Sequence, residues 1–341
     1  MALSDYHATA GDWRKQLQNN GRKTRMVIAL FFLIYIAVGL TADVVILQSH
    51  YPQVSLQRCF YALITLKVVP YATIIMAAIA FISLLITYSM YDRIMLLGTE
   101  YREITPETAK TMQEKQLYNV VEEMKVAAGL QYIPKVFLID ADYMNAFASG
   151  YSEKSAMVAI TRGLIDKLDR AELQAVMAHE LSHIRHQDIK LTLMVAVLSN
   201  ILLIVIDILF YSVVFKRDRQ DNRLFAVILI LRYALPLITV VLTLFLSRTR
   251  EYMADSGSVE LMRDNEPMAR ALLKISQDHE NNAEKFQQAY GQTAHEELRQ
   301  ASYLFDPSGI DPVKSLTNAF STHPEIDQRL EALGFKRKNP K

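Results

Sequence analysis

The sequence predicts a mainly α-helical fold with a small β-sheet, an α+β domain fused to about four transmembrane helices. Three observations predict it. Four long runs carry almost no charge, at residues 26–47, 68–91, 191–215 and 224–246. Two short runs, Lys135–Asp140 and Ser155–Thr161, have the composition of strands. Most of the polar remainder repeats its apolar residues at helical spacing.

In chain order, residues 1–25 form a basic N-terminal tail, with Arg14, Lys15, Arg22, Lys23 and Arg25 set against Asp5 and Asp12. Met26–Ala42 has no charge, and the run continues past Asp43 to Leu47. It exceeds a signal-peptide core and no clear A-x-A-like site follows, so it reads as an uncleaved anchor. Val68–Tyr91 is long enough to span. The loop between these two runs holds only Arg58 and Lys67, which places the N-terminus in the cytoplasm. Residues 26–91 therefore supply two transmembrane helices, and the chain returns to the cytoplasm at Asp92.

Residues 92–190 read as the first part of a catalytic domain. Thr105-Pro106-Glu107 looks like a helix N-terminus opening towards Ala128. Asn145–Gly150, between the two expected strands, reads as a hairpin connection on its residues alone. Residues 191–246 form a transmembrane hairpin around a charged link at 216–223, and its only intramembrane charges, Asp207 and Arg232, are expected to pair. Residues 247–341 return to helical patterning as the second part of the domain, with breaks at Asp306–Gly309 and Thr322–Pro324. The net charge of +1 gives no reason to expect nucleic acid, and a lone Cys59 excludes a disulfide framework or a Cys-rich metal site.

Chemistry concentrates in Ala171–Lys190. His179-Glu180-Leu181-Ser182-His183 is an HExxH, and on a helix i and i+4 share a face, so both imidazoles can reach one ion. Glu180, about 100° round the axis, can serve a metal-bound water as base. Asp169 is a good N-cap with Glu172 at the capping-box position. His279 and His295 also precede glutamates, but Ala283 and Arg299 occupy their i+4 positions. His186 shares nearly the same face yet lies a turn too far along a straight helix, and no glycine turns the chain back there.

A catalytic zinc needs a third protein ligand. Glu251 and Asp255, also i and i+4, follow the last apolar run. Glu251 suits the metal and Asp255 suits the far nitrogen of a ligand histidine. Asp188 is the rival ligand, read instead as a helix-end or interfacial charge. This geometry predicts a zinc endopeptidase with Glu180 as base, working near the bilayer surface.

HELSH, SRTREYMAD at 247–255, NAFASG at 145–150 and Thr322-His323-Pro324 with Arg329 together resemble the HtpX family of bacterial membrane zinc metallopeptidases. These are relatives of the CAAX prenyl proteases and Oma-type proteases. The resemblance covers about residues 26–335. It implies a gluzincin-like fold, one Zn2+ per chain, and quality-control cleavage of misfolded or damaged membrane proteins at the cytoplasmic face of the inner membrane, as in a heat or stress response. Matching motifs make His179, His183 and Glu251 the ligands, Glu180 the base and Asp255 the orienting group. They set Asn145, Ala146, Phe147 and Ala148 along a cleft, with the edge of the Ser155–Thr161 strand pairing with peptide. They give His323 the oxyanion, supported by Arg329. Implied partners are unfolded or membrane-protein polypeptides, the lipid bilayer and other membrane quality-control proteases. One departure stands out: His186-Gln187 replaces the Asn-Gly usual before Asp188. Two alternatives stay open, a CAAX-type prenyl-protein protease and a membrane scaffold or holdase with structural zinc.

Overall fold

The computed structural model describes residues 3–8, 12–95, 101–150, 152–214, 222–282, 304 and 323–338. The chain divides into two compact units. One takes Met1–Thr24, Met90–Lys190 and Leu246–Lys341; the other takes Arg25–Ser89 and Leu191–Phe245.

The second unit is built from the apolar runs. They give helices α1 (Trp13–His50), α3 (Tyr71–Met95), α7 (Asp188–Val214) and α8 (Asn222–Met262), with a short α2 (Leu56–Ile64) between the first two. By length and composition α1, α7 and α8 can cross a membrane. The apolar stretch of α3, Tyr71–Ile86, is shorter, so three helices rather than four meet that standard among the described residues. Leu198, Leu202, Ile206 and Leu209 of α7 pack with Tyr35, Val38 and Met76 in its core. Asp43, the charge that interrupts the first run, caps the start of α3. It accepts hydrogen bonds from Ala72 N–H (2.7 Å), Thr73 N–H (3.0 Å) and the Thr73 hydroxyl (2.7 Å). Gly39 makes room for that cap, since a Cβ there would stand 3.1 Å from Thr73 Cβ. Asp207 and Arg232 pair at 3.2 Å, as expected of charges in an apolar setting. The charged link of the hairpin falls largely outside the described residues.

The first unit surrounds a mixed sheet of β2 (Tyr101–Ile104), β3 (Lys135–Ile139), β4 (Ala146–Ser149) and β5 (Met157–Thr161), in the order β2-β3-β5-β4. β3 and β5 run parallel, and the outer pairs run antiparallel. Two expectations need correction. Ser155–Thr161 does not expose a strand edge: β5 is paired on both sides, and Ala146–Ser149 forms the edge strand beside it. The helix expected from Thr105 begins later, as α4 (Met112–Ala128). Thr105–Ala109 closes a turn instead, with Ala109 N–H bonded to Thr105 C=O. Thr111 and Glu114 form a reciprocal capping box that fixes the true start, an arrangement a proline two residues into the preceding turn imitates in sequence.

The N-terminal segment is more than a polar tail. β1 (Tyr6–Ala8) pairs antiparallel with β6 (Phe335–Arg337), and Tyr6 donates to Asp327 at 2.6 Å. Between sheet and C-terminus lie α5 (Arg162–Lys167), α6 (Arg170–Arg185), α9 (Glu266–Asn281) and α10 (Ile326–Ala332). Leu117, Val120, Val176, Met177, Leu181, Leu272 and Ile275 join one core around α6. Burial of each such side chain stabilises by about 1.5–3 kcal/mol.

Candidate metal centre

The centre is assembled on α6 and on the last third of α8. Asp169 accepts from Glu172 N–H and Glu172 accepts from Asp169 N–H, each at 2.9 Å, so the capping box read from the sequence is present. Lys274 holds the same Glu172 at 2.6 Å. With its start fixed and Leu173, Val176, Met177 and Leu181 buried, α6 presents His179, Glu180 and His183 on a rigid, water-excluded face. The backbone of α8 comes close because its residues there are small. A Cβ on Gly257 would stand 2.8 Å from Ser182 Cβ, and Ser258 donates to Ala175 C=O at 2.8 Å. Asp255 and Glu251, within one turn and about two turns earlier on α8, thereby face the two histidines.

His179 Nε2 and His183 Nε2 lie 3.2 Å apart. Glu251 completes the triangle, with Oε2 3.6 Å from His179 Nε2 and Oε1 3.6 Å from His183 Nε2. All three side chains are buried. Behind them each imidazole meets a carboxylate: His179 Nδ1 lies 3.0 Å from Asp255 Oδ1, and His183 Nδ1 lies 2.8 Å from Asp188 Oδ2. A histidine that donates from Nδ1 turns a lone pair outward at Nε2. With both rings neutral and in that tautomer, two lone pairs and a carboxylate converge, an acceptor-only arrangement that suits a cation. Two ligands held about 2.0–2.1 Å from a tetrahedral ion stand about 3.3 Å apart, close to the nitrogen separation found. The donor set fits zinc, with two imidazoles and one carboxylate.

Without a metal, the charges around the cluster favour a proton on the His179 imidazole, which a bound cation would displace. Burial pulls His179 down, but the Asp255 and Glu251 carboxylates outweigh it and hold its pKa up to about 9. Burial lifts the Glu180 carboxyl above its ordinary 4.5, against the pull of His179 and His183. Both Glu180 oxygens are buried and make no hydrogen bond to any described residue. Arg329 of α10 forks Asp255, donating from Nε at 2.9 Å and Nη2 at 2.7 Å, and its Nη1 donates to Leu304 C=O at 2.8 Å. Its charge therefore serves Asp255 directly rather than His323. His323 sits with Nδ1 3.5 Å from Glu251 Oε2, at the margin of the cluster.

The remaining sequence candidates fall as follows. His186 closes α6 as its C-cap, outside the triangle, and burial pushes its pKa down. Asn145 ends the chain segment before β4: it donates from its backbone to Thr161 Oγ1 at 2.9 Å, and its side chain accepts from Ala146 N–H at 2.9 Å. Ala146, Phe147 and Ala148 are buried within β4 itself, and Ala146 C=O accepts from Leu304 N–H at 2.9 Å. Asp188 opens α7, the helix-end position expected of it, but its partner was not foreseen. It stands outside the triangle as the partner of His183, flanked by Arg250 at 3.5 Å. Arg250 and His183 hold its carboxyl below its ordinary value despite burial. The signal lay at position 187: Gln187 adopts φ +54°, a left-handed kink that swings Asp188 back onto His183. Glycine suits that conformation, and the family pattern resembled by this sequence places glycine there.

Comparison with known proteins agrees. The profile of Peptidase family M48 matches residues 111–335. A protein described as "Protease HtpX homolog" from Helicobacter pylori (strain J99 / ATCC 700824) is 39% identical over 323 residues, covering 94% of this chain and 98% of its own. One of the same description from Dictyoglomus thermophilum is 38% identical over 250 residues, covering 72% and 76%. Among solved structures, S. mikatae Ste24p aligns with a TM-score of 0.46 at 17% identity, over 94% of this chain and 66% of that one. With the matched segment spanning the whole cluster and the Helicobacter pylori relative matched over 98% of its length, the chain belongs to peptidase family M48, in its HtpX branch of membrane metalloproteases.

Proposed function

We propose that this chain is a zinc-dependent endopeptidase that cleaves misfolded or damaged membrane proteins at the cytoplasmic face of the bacterial inner membrane, in stress-linked quality control. The observation that carries the reading is the pair of imidazole nitrogens 3.2 Å apart, each ring backed by a carboxylate at its other nitrogen. A zinc ion held by His179, His183 and Glu251 would polarise a peptide carbonyl and acidify a water molecule. Glu180, buried and without a hydrogen-bond partner among the described residues, takes a proton from the attacking water as its oxygen bonds to the carbonyl carbon. It passes the proton to the amine nitrogen as the C–N bond breaks. His323 donates to the carbonyl oxygen as negative charge gathers there. Asp255 and Asp188 fix the two rings, and Arg329 balances the charge of Asp255.

The edge of β4 is the natural place for an extended peptide, which would add a strand to the sheet. Ala146 C=O is already taken by Leu304, so pairing starts at Ala148, the next residue facing outward in an antiparallel ladder. Two features support a cytoplasmic catalytic unit. Basic residues dominate the polar first turns of α1, ahead of its apolar run. The β1–β6 pairing also ties the first residues to the last, so both ends of the chain share one side of the membrane.

The test supplies the zinc-loaded chain, in proteoliposomes, with a destabilised membrane protein, its folded parent and a prenylated C-terminal peptide. Cleavage of the destabilised protein alone, stopped by a zinc chelator and restored by zinc, is the expected result. Cleavage of the prenylated peptide alone would replace this reading with a prenyl-protein protease. Binding of the destabilised protein without cleavage would replace it with a scaffold or holdase.

A further inference from the structure

The connection between α1 and α3 has a surface that the catalytic chemistry does not use. α2 is nine residues long, too short to cross a bilayer, yet it lies between two long apolar helices. One stripe of it is buried, Cys59 and Leu63, and the Cys59 thiol reaches Gln48 Oε1 near the end of α1 at 3.7 Å. The flank beside that stripe is apolar and exposed, with Phe60 and Ile64 a turn apart and Tyr61 next to them. Leu66 follows and is the most informative residue. It is 73% exposed, and its backbone adopts φ +54°. A branched aliphatic residue seldom takes that left-handed conformation, and this one has no core to pack against that would account for it. From Val44 to Tyr91 there is no acidic residue, while Arg58 is exposed and Lys67 holds its ammonium 5.3 Å from the Tyr61 ring centroid.

We infer that α2 and Leu66 form an interfacial anchor, seated in the surface of the phospholipid bilayer at the far end of α1 from Trp13. An apolar flank of this kind buries about 5–10 Å into the boundary between headgroups and acyl chains. Tyr61 sits at headgroup depth, where amphipathic aromatic rings concentrate. Arg58 and Lys67 extend their aliphatic stems along the apolar surface and deliver their charges to headgroup phosphates. Lipid is the occupant because the patch continues the exposed apolar belt of α1 and α3, including Ile46, Ile74 and Ile75. Leu66 enters the acyl region, and that insertion offsets the unfavourable backbone conformation.

The full chain, with Cys59→Ser, carries a single nitroxide-labelled cysteine at Arg58, Phe60, Ile64 or Leu66 and is reconstituted in vesicles of phosphatidylcholine and phosphatidylglycerol. Relaxation by oxygen, which partitions into lipid, is compared with relaxation by a water-soluble nickel complex. A thermal unfolding midpoint matching that of the Cys59→Ser parent certifies that each labelled chain is folded. The expected result is an oxygen-to-nickel ratio several-fold higher at Phe60, Ile64 and Leu66 than at Arg58. Equal ratios at all four positions overturn the proposal, because the helix then stands in water. Shielding of the three apolar positions from both reagents also overturns it, and assigns the patch to a protein partner or a second copy of the chain.

Discussion

The two units treat a buried carboxylate in opposite ways. In the membrane unit Asp43 is satisfied by three donors, two backbone N–H groups and one hydroxyl, and its charge meets the N-terminus of α3. In the other unit Glu180 is more deeply buried, and neither oxygen has a hydrogen-bond partner among the described residues. An unsatisfied buried polar group costs about 1–3 kcal/mol, and more when charged. A fold retains such a cost where it serves something other than stability. The contrast separates structural charge from chemical charge: Asp43 holds helices together, whereas Glu180 waits beside a triangle of acceptors for a reaction.

Substitutions sharpen that contrast, and the largest effect belongs to Glu180→Gln. Turnover should fall by about 10²–10⁴-fold, the usual contribution of a positioned base. Thermal unfolding of the metal-free chain should move the other way. The folded-state pKa of Glu180 is raised above its ordinary 4.5, so its contribution is fully present below 4.5 and is lost as pH rises through the raised folded-state value. Glutamine removes the buried charge, and the midpoint at pH 7 should rise. A fall in midpoint with retained turnover would place Glu180 in the same class as Asp43.

Next in size are the groups behind the histidines. Asp255→Asn and Asp188→Asn should each weaken zinc affinity by about 10–100-fold, measured by chelator competition. Asp255→Asn should be the larger, because Arg329 forks Asp255 at 2.7 and 2.9 Å while Arg250 stands 3.5 Å from Asp188. Equal, undiminished affinities would show that neither ring needs its carboxylate. Asp43→Ala should do the reverse, costing about 0.5–2 kcal/mol of stability as a lost cap while zinc affinity stays unchanged. Loss of zinc from that variant would break the comparison.

Much of the centre was legible because helical spacing is local. The i, i+4 pairs His179/His183 and Glu251/Asp255, and the Asp169/Glu172 capping box, need only a helix to bring their groups together. The Asp207–Arg232 pairing followed from the cost of charge in an apolar setting. Three things were not legible, each for a reason beyond helical period. Thr105-Pro106 looked like a helix start because a turn and an N-cap share residue preferences. The edge position of β4 depends on strand order, which residue pattern does not encode. The role of Asp188 depends on one backbone torsion, that of Gln187. This last point gives the smallest prediction. Gln187→Gly should leave turnover intact and raise stability by up to about 1 kcal/mol, since a side chain in the left-handed region costs about 1–2 kcal/mol. Unfolding midpoints of the two proteins check it.

The most direct test of the central claim is the zinc content of the purified chain, measured by mass spectrometry, for wild type, Glu180→Gln and His183→Ala. One zinc per chain is expected in the first two and none in the third, because His183 is part of the acceptor triangle and Glu180 only faces it. Zinc retained at one equivalent in His183→Ala, or lost from Glu180→Gln, would contradict this account of the centre.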